Sequence, residues 1–277
     1  MPRPAPEFET LRVDVADGVG RLTLDQPDRL NPLGSLALAE IIEAAVWFDR
    51  TDTTVVVVTG AGRAFSAGFD LAEFGGGDGA TRFADPRGLV PTDGRARTDL
   101  GRRMADAVES MNAVTIAAVH GPCVGGGFVL ASVCDLRVAS DDTRFAIPEV
   151  DLGIPLTWGA IPRMVRDIPA AIVRELVLTC REFDADEAHS IGFVNHVVPR
   201  SGLDTHVSEL ATSLVAKAPS VLRATKRQVN EALDHMATTA GSWAEADLLE
   251  AALRDPAARA AAERYLDDRA RRRNGQA

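Results

Sequence analysis

The amino-acid sequence predicts an α/β fold, and three observations carry this prediction. Short apolar runs rich in β-branched residues, TVVVVTG at 54–60 and VTIAAVHG at 114–121, alternate with stretches of helical periodicity. A glycine-rich loop follows each of these two runs. After Pro199 the strand patterns stop and helical patterns succeed one another. We therefore expect an α/β core over residues 1–200 and a helical region over residues 201–277.

Composition narrows the class of protein. A chain of 277 residues can form one large domain with an appendage or two small domains. The formal net charge of -10 disfavours binding to nucleic acid, which depends on clustered positive charge. No apolar stretch reaches the roughly 18 to 20 residues of a membrane helix, and the N-terminus lacks the apolar core of a secretory signal. We therefore expect a cytoplasmic protein with no membrane or nucleic-acid partner.

The elements of the core follow from local patterns. TLRVDV and VGRLTL flank the turn residues Asp17 and Gly18 and alternate apolar with polar positions, which predicts a β-hairpin. Ser35 is the expected N-cap of the helix LALAEIIEAAVWFD. The runs LRVAS, RFAIP and FVNHVVP predict further short strands.

Two later segments differ from this core. Residues 75–99 are dense in Gly, Pro, Asp and Arg, which predicts a mobile surface segment that could cover a ligand. Beyond residue 200, helical periodicity predicts four consecutive helices, in HVSELATSLVAKA, SVLRATKRQVNEALDHM, SWAEADLLEAALR and ARAAAERYLDDRARRR.

The glycine-rich loops are the candidate functional site. GAGRAFSAGFDLAEF and HGPCVGGGFVLA each place an apolar strand, a tight loop and a helix in order. Glycine lets backbone approach a ligand closely, and the first N–H groups of a helix have no partner within it. One donor from each loop could converge on a single oxygen as an oxyanion hole. The alternative is that the glycines only permit close packing of helix on strand.

These stretches resemble the crotonase, or enoyl-CoA hydratase/isomerase, superfamily. The matching text is AFSAGFDL, AAVHGPCVGGGFVLASVCDLRVAS, FAIPEVDLGI and ELVLTCREFDADEAHSIGFVNHVVP, in family order over nearly the whole chain. The resemblance implies a crotonase-like spiral of strand, strand, helix turns. It also implies that residues 201–277 serve oligomerisation, as a homotrimer or a dimer of trimers. The ligand it implies is an acyl-CoA thioester, whose carbonyl would be held by the N–H groups of Phe69 and Gly126.

The resemblance also directs attention to the acids. Similar hydratases carry one glutamate shortly after the triple glycine and another in a Pro-Glu motif. Here the second is present as Glu149, whereas the first position holds Val129, which can neither ionise nor accept a hydrogen bond. A single acid suffices to move a proton between two carbons. The pattern is therefore most consistent with double-bond isomerisation of an enoyl-CoA.

Two other functions stay open at this stage. Hydration could proceed with a rearranged second acid, for which Asp151 is a weak candidate because it lies two positions from Glu149. A protein that binds acyl-CoA without turning it over is the alternative from another class. Turnover of several CoA thioesters discriminates among the three.

The remaining candidate residues are expected to bind substrate. The loops supply Ala67, Gly68, Asp70, Gly125 and Val129, although Asp70 is also a typical turn or cap residue. Trp158 and Phe74 are candidates for the acyl pocket, with core packing as the alternative. The resemblance places Arg29 in a loop over the CoA nucleotide, with Lys226 on a helix that could reach it. No metal or separate cofactor is expected, since coenzyme A is part of the substrate.

Overall fold

The computed structural model describes residues 4–73, 85 and 87–273. Its strands are β1 (Leu11–Ala16), β2 (Val19–Leu24), β3 (Val55–Gly60), β4 (Val114–Val119), β5 (Pro122–Val124), β6 (Leu136–Ser140), β7 (Arg144–Ala146), β8 (Phe183–Asp184) and β9 (His196–Val198). Its α-helices are α1 (Ser35–Phe48), α2 (Gly94–Thr98), α3 (Leu100–Glu109), α4 (Gly126–Ser132), α5 (Ala160–Asp167), α6 (Ala170–Thr179), α7 (Ala185–Ser190), α8 (Leu203–Val215), α9 (Pro219–Met236), α10 (Glu245–Arg254) and α11 (Pro256–Arg273).

The main sheet has six strands in the order β1-β2-β3-β4-β6-β9. The predicted hairpin is confirmed: β1 and β2 are antiparallel, and Asp17 and Gly18 both have the positive φ of a tight hairpin turn. From β2 onward the neighbours are parallel, and helices connect them. The apolar runs in β3 and β4 are explained by burial of both faces of these central strands. A second sheet, β5-β7-β8, has two very short strands that no sequence pattern had indicated.

Helix α4 rests on a cluster of aromatic side chains. Phe128 of α4 stacks on Phe193 at 4.3 Å between ring centroids and meets Phe145 edge-on at 6.1 Å. Phe183 stacks on Phe145 in the same cluster, at 5.2 Å. Burial of several aromatic rings stabilises the fold strongly, because each removes a large apolar area from water. The cluster therefore holds the N-terminus of α4, where the triple glycine lies, in a defined position.

The C-terminal helices do not form a layer of their own. Leu203, Val207 and Ala211 of α8 are buried against side chains of β3, β4 and β6. Helix α10 is joined to α2 by an ion pair between Arg95 and Asp247 at 2.9 Å. Helix α11 then packs on the loop at Gly153, a residue with φ +69° where an added Cβ would lie 2.2 Å from the carbonyl oxygen of Ala258. The region predicted for oligomerisation therefore also lines the core.

Two expectations change or fall outside the described residues. Ser35 is the first residue of α1, not its N-cap; Gly34 occupies the cap position with extended backbone angles. Much of the predicted mobile segment, and Phe74 with it, lies outside the described residues. No described helix combines the length and the apolar character needed to cross a membrane. The cytoplasmic location stays a prediction.

Candidate active site

The two glycine-rich loops lie side by side, as the sequence predicts. The N–H of Ser66 donates to the carbonyl of Pro122 at 3.1 Å, and the N–H of Val124 donates back to Ser66 at 3.0 Å. Gly68 has φ +87°, and a Cβ there would lie 2.6 Å from the Val124 carbonyl and 3.5 Å from the Gly126 nitrogen. Only glycine allows this approach. Gly68 and Phe69 of one loop and Gly125 of the other therefore line one small cavity, which Ala67 also lines.

Each glycine of the triple is required by a different close contact. An added Cβ on Gly125 would lie 2.7 Å from Oε1 of Glu149, and the residue caps α4 with φ +51°. A Cβ on Gly126 would lie 2.5 Å from the ring of Trp158, and one on Gly127 would lie 2.7 Å from the Cβ of Ser66. The helix begins on glycines because the carboxyl group, the indole and the neighbouring loop all contact its first turn.

Glu149 has the electrostatics of an acid/base group. It follows β7 in the loop before α5, and although the residue is half-buried, its Oε2 is shielded from solvent. Among the residues that the structure describes, Oε2 has no hydrogen-bond partner. Burial raises the pKa of Glu149 to about 7, because desolvation penalises the charged form. The carboxyl group can therefore both accept and release a proton near neutral pH.

A cavity of about 210 Å³ opens beside Glu149. Phe69, Gly126 and Val129 line it together with Glu149, so the structure brings these predicted residues into one site. Val129 is only 1% exposed and gives the cavity an apolar wall. Ile154, Leu156, Leu249 and Leu253 add further apolar surface. The cavity therefore suits an apolar ligand group that lies next to Glu149.

Trp158 lines this cavity in a strained conformation. Its φ of +65° lies in the left-handed region, which is uncommon for a bulky residue. Buried Arg163 donates to the carbonyls of Trp158 and Gly159, at 3.1 and 3.2 Å, and the Gly159 N–H donates to Glu245 at 2.7 Å. The indole meets the ring of Phe69 edge-on, at 6.3 Å. Such strain persists where surrounding contacts impose it, and here it places the ring at the cavity wall.

Glu73 is a second carboxylate at the cavity, and sequence reasoning missed it. It lines the cavity and accepts hydrogen bonds from the Ser35 N–H at 3.0 and 3.2 Å and from the Ser35 hydroxyl at 2.6 Å. The indication of Glu73 in the sequence was weak. It is an acid four positions after Phe69, and Asp70 in the same stretch was the more obvious candidate. Ser35 thus contributes to the site by holding Glu73.

A wider cleft of about 590 Å³ begins on the other side of Phe69. Arg29 lies in a 3-10 helix, Pro27–Arg29, and its Nη2 donates to both carboxylate oxygens of Asp70, at 2.9 and 2.8 Å. Both residues line the cleft, with Arg63 and with Arg269 of α11. Asp70 acts here as a partner of Arg29 and as a turn residue that accepts from the Ala72 N–H. The cleft combines Ala67 and Phe69 with three arginines and two aspartates, Asp28 and Asp70, so that its arginines exceed its acids by one.

Two other candidates lie elsewhere. Asp151 is exposed and lines an outer cleft with Cys180, but lines neither cavity that contains Glu149. The expectation that Lys226 reaches a ligand at the Arg29 loop is wrong: its Nζ is buried, 2.8 Å from Asp135 and 2.9 Å from the carbonyl of Ala113. The carboxylate of Asp135 therefore neutralises Lys226 at the buried face of α9. No group of three or more potential metal-ligating side chains occurs among the residues described.

Comparisons with known proteins define the class. A family model described as enoyl-CoA hydratase/isomerase matches residues 14–274. A probable enoyl-CoA hydratase of Mycobacterium tuberculosis is 34% identical over 228 residues, covering 82% of this chain and 83% of the relative. A peroxisomal Delta(3,5)-Delta(2,4)-dienoyl-CoA isomerase of Arabidopsis thaliana is 31% identical over 241 residues, covering 83% and 87%. The crystal structure of an enoyl-CoA hydratase from Mycobacterium avium subsp. paratuberculosis superposes with a TM-score of 0.81 at 22% identity, covering 93% of this chain and 99% of that one.

The chain is therefore a member of the crotonase superfamily, and the predicted fold class is confirmed. Within that superfamily it belongs to the enoyl-CoA hydratase/isomerase family of enzymes. The relatives include proteins named as hydratases and proteins named as isomerases, so family membership leaves the reaction open. The roles of the individual site residues stay predictions.

Proposed function

We propose that this protein isomerises the double bond of an enoyl-CoA thioester through an enolate. The N–H groups of Phe69 and Gly126 would hold the thioester oxygen, and Glu149 would move the proton. Polarisation of the carbonyl acidifies the neighbouring C–H, and the negative charge then develops on the oxygen that the two donors hold. The proximity of Gly68 to the Gly126 nitrogen supports a shared position for that oxygen.

One observation carries the choice of reaction. Glu149 and Val129 line the same cavity, and only one of the two can ionise. With a pKa of about 7, Glu149 can remove a proton from one carbon as a carboxylate and return it to another as an acid. Isomerisation needs no bound water, and an apolar wall at Val129 gives water no hydrogen-bond partner there. The acyl group would lie against Trp158 and Leu253, and coenzyme A in the arginine-lined cleft.

Hydration is the second candidate, and Glu73 is the observation that favours it. Its carboxylate lines the cavity of Glu149, whereas the sequence-based candidate Asp151 does not. The three hydrogen bonds from Ser35 nevertheless engage both oxygens of Glu73. Hydration would therefore require Glu73 to bind water with the lone pairs that Ser35 leaves.

The deciding experiment follows two products from a panel of 2-enoyl-CoA and 3-enoyl-CoA thioesters. Mass spectrometry detects the addition of water, and absorbance of the conjugated thioester reports isomerisation. We expect isomerisation without net hydration. Glu149→Gln keeps the shape of the side chain but removes its basicity, so turnover should fall by about 10²- to 10⁴-fold. Wild-type activity in this variant would exclude Glu149 as the base.

Glu73→Gln separates the two candidate reactions. If isomerisation is the reaction, this variant keeps most of its turnover, because the amide oxygen still accepts from Ser35. If the protein hydrates 2-enoyl-CoA and both Glu73→Gln and Glu149→Gln abolish that activity, hydration replaces isomerisation. Binding of CoA thioesters by calorimetry with no turnover of any thioester would support the non-catalytic alternative.

Assembly into a homotrimer or a dimer of trimers stays a prediction. Helix α9 leaves Val221 and Val229 61% and 50% exposed, and Met236 at its end is 72% exposed. Apolar side chains on one helix are compatible with a contact between subunits.

A further inference from the structure

We infer that Tyr265, on the C-terminal helix α11, is a positioning residue for Glu149 and that its phenol is the second hydrogen-bonding group of the reaction site. This inference rests on the proposed role of Glu149 as acid/base. The phenol of Tyr265 would supply a hydrogen-bond donor that the motifs around Val129 and Glu149 lack.

The geometry begins with a small cavity that shares lining residues with both the acyl cavity and the arginine-lined cleft. Its walls include Gly68, Phe69 and Gly125 from the two glycine-rich loops, Glu149, and Tyr265 from α11. Tyr265 therefore faces the same space as the reacting groups although it lies 116 positions after Glu149. The close packing of α11 on Gly153 sets this approach.

The hydrogen-bonding capacities of the two side chains are complementary. Oε2 of Glu149 is a buried acceptor with no partner among the described residues. Burial raises the pKa of the phenol, and the guanidinium of Arg269, one helical turn after Tyr265, lowers it. A guanidinium has donors only, so it can engage only the acceptor side of a phenol oxygen, and the O–H of Tyr265 can donate to another group. A buried acceptor and an available donor on one small cavity favour a hydrogen bond between them once Glu149 is ionised.

The charges around this pair are mixed. Burial raises the pKa of Tyr265, the guanidinium of Arg269 lowers it, and the carboxylates of Glu149 and Asp151 raise it further. The outer cleft that Tyr265 also lines is bordered by these titratable or charged groups: Asp151, Cys180, Glu182, Arg264, Asp268 and Arg269. The phenol stays protonated at neutral pH and so remains a donor.

This donor has a specific consequence for the reaction. A hydrogen bond to the ionised carboxylate stabilises it and orients its oxygens toward the substrate. Without that bond, Glu149 would hold its proton to higher pH and would be less well oriented. Tyr265 thus acts on turnover through Glu149, while the oxyanion donors and the acyl cavity are unchanged.

The first test compares Tyr265→Phe with wild type, using turnover of the best thioester of the panel across pH. The ring and its packing remain, and only the hydroxyl is lost. We expect kcat to fall by about tenfold to a hundredfold, the range for one hydrogen bond to a charged group, with KM little changed. We also expect the acidic limb of the pH profile to move to higher pH. An unchanged kcat and an unchanged acidic limb would overturn the inference.

The second test needs no turnover, because Tyr265 is the single tyrosine of the chain. Its ionisation can be followed directly by tyrosinate absorbance in the near ultraviolet or by NMR of labelled tyrosine. Glu149→Gln removes a neighbouring negative charge, so the titration midpoint of Tyr265 should fall by about one pH unit. Glu263→Gln is the matched control: it removes a carboxylate from an exposed position of the same helix that lines no described cavity, and should leave the midpoint unchanged.

The two tests separate the possible failures. If no thioester is turned over but the Glu149→Gln shift appears, the proposed reaction fails and the pairing of Tyr265 with Glu149 stands. If turnover depends on Glu149 but neither Tyr265→Phe nor the titration responds as expected, the proposed reaction stands and the role of Tyr265 is refuted.

Discussion

The two walls of the acyl cavity and of the small cavity beside it differ in how the chain builds them. The motif wall, which we define as Gly125–Val129 with Glu149, comes from one stretch of sequence and is shaped by backbone angles and buried contacts. The C-terminal wall, defined as Leu249, Leu253 and Tyr265, reaches the same space only because α10 and α11 pack back on the core. In the proposed reaction the motif wall supplies the acid/base and an oxyanion donor, and Leu249 and Leu253 shape the space that the acyl group would enter.

The contacts that hold the two walls also differ in strength. The motif wall rests on the buried cluster of Phe128, Phe145 and Phe193. The C-terminal wall depends in part on the ion pair of Arg95 and Asp247, whose side chains are 45% and 56% exposed. An exposed pair of this kind contributes little to stability, because solvent screens its charges. Substitutions in the motif wall should therefore affect the reaction itself, whereas substitutions of Leu249 and Leu253 in the C-terminal wall should affect which substrate is preferred.

The largest effect is expected from Gly125→Ala. The residue has φ +51°, and the new Cβ would lie 2.7 Å from Oε1 of Glu149, so the carboxyl group must move. A displacement of about 1 Å at a reacting group can lower turnover by about 10²-fold, and kcat measures this directly. Gly202→Ala is the matched control, because an added Cβ there meets no atom within 4 Å. Wild-type kcat in Gly125→Ala would show that the motif wall can absorb the new Cβ without displacing Glu149 from its reacting position.

The next effect is a pH dependence of stability that distinguishes Glu149 from other acids. Its pKa is raised from 4.5 to about 7 in the folded protein. Stability is therefore complete below the unfolded pKa and declines as pH rises through the folded value, by about 3 kcal/mol at most. Urea unfolding at acidic and mildly alkaline pH should show this loss in wild type, and Glu149→Gln should lack it. Identical pH dependence in the two proteins would contradict the buried carboxyl group.

The smallest effect is expected in the C-terminal wall, from Leu253→Ala. Leu253 lines the acyl cavity but is 38% exposed, so its truncation widens the cavity at low cost in stability. We expect kcat/KM to shift severalfold toward longer acyl chains, because contacts of this size are worth about 1 to 3 kcal/mol. Leu248→Ala, on the same helix and 59% exposed, is the control. A loss of kcat for every acyl chain length would show that Leu253 affects the reaction itself and not only the preferred substrate.

Much of the fold could be predicted, because hairpins, buried strands and amphipathic helices leave local patterns. The hairpin at Asp17 and Gly18 and the runs of β3 and β4 followed directly from apolar periodicity. The strands β5 and β8 could not, since three and two residues carry no periodicity. Ser35 was assigned to the wrong helix position because a serine before an apolar run is the usual cap, and its partner Glu73 is distant in sequence.

The sequence alone was enough to predict that the two glycine-rich loops pair and to identify Glu149 and Val129, because backbone freedom and ionisable groups are properties of single residues. Tertiary structure alone decided that Glu149 is shielded enough for a pKa of about 7, that Glu73 rather than Asp151 shares its cavity, and that Tyr265 lines the space beside it. Burial and long-range contact depend on which surfaces meet, and side chains separated by many residues meet only after the chain has folded.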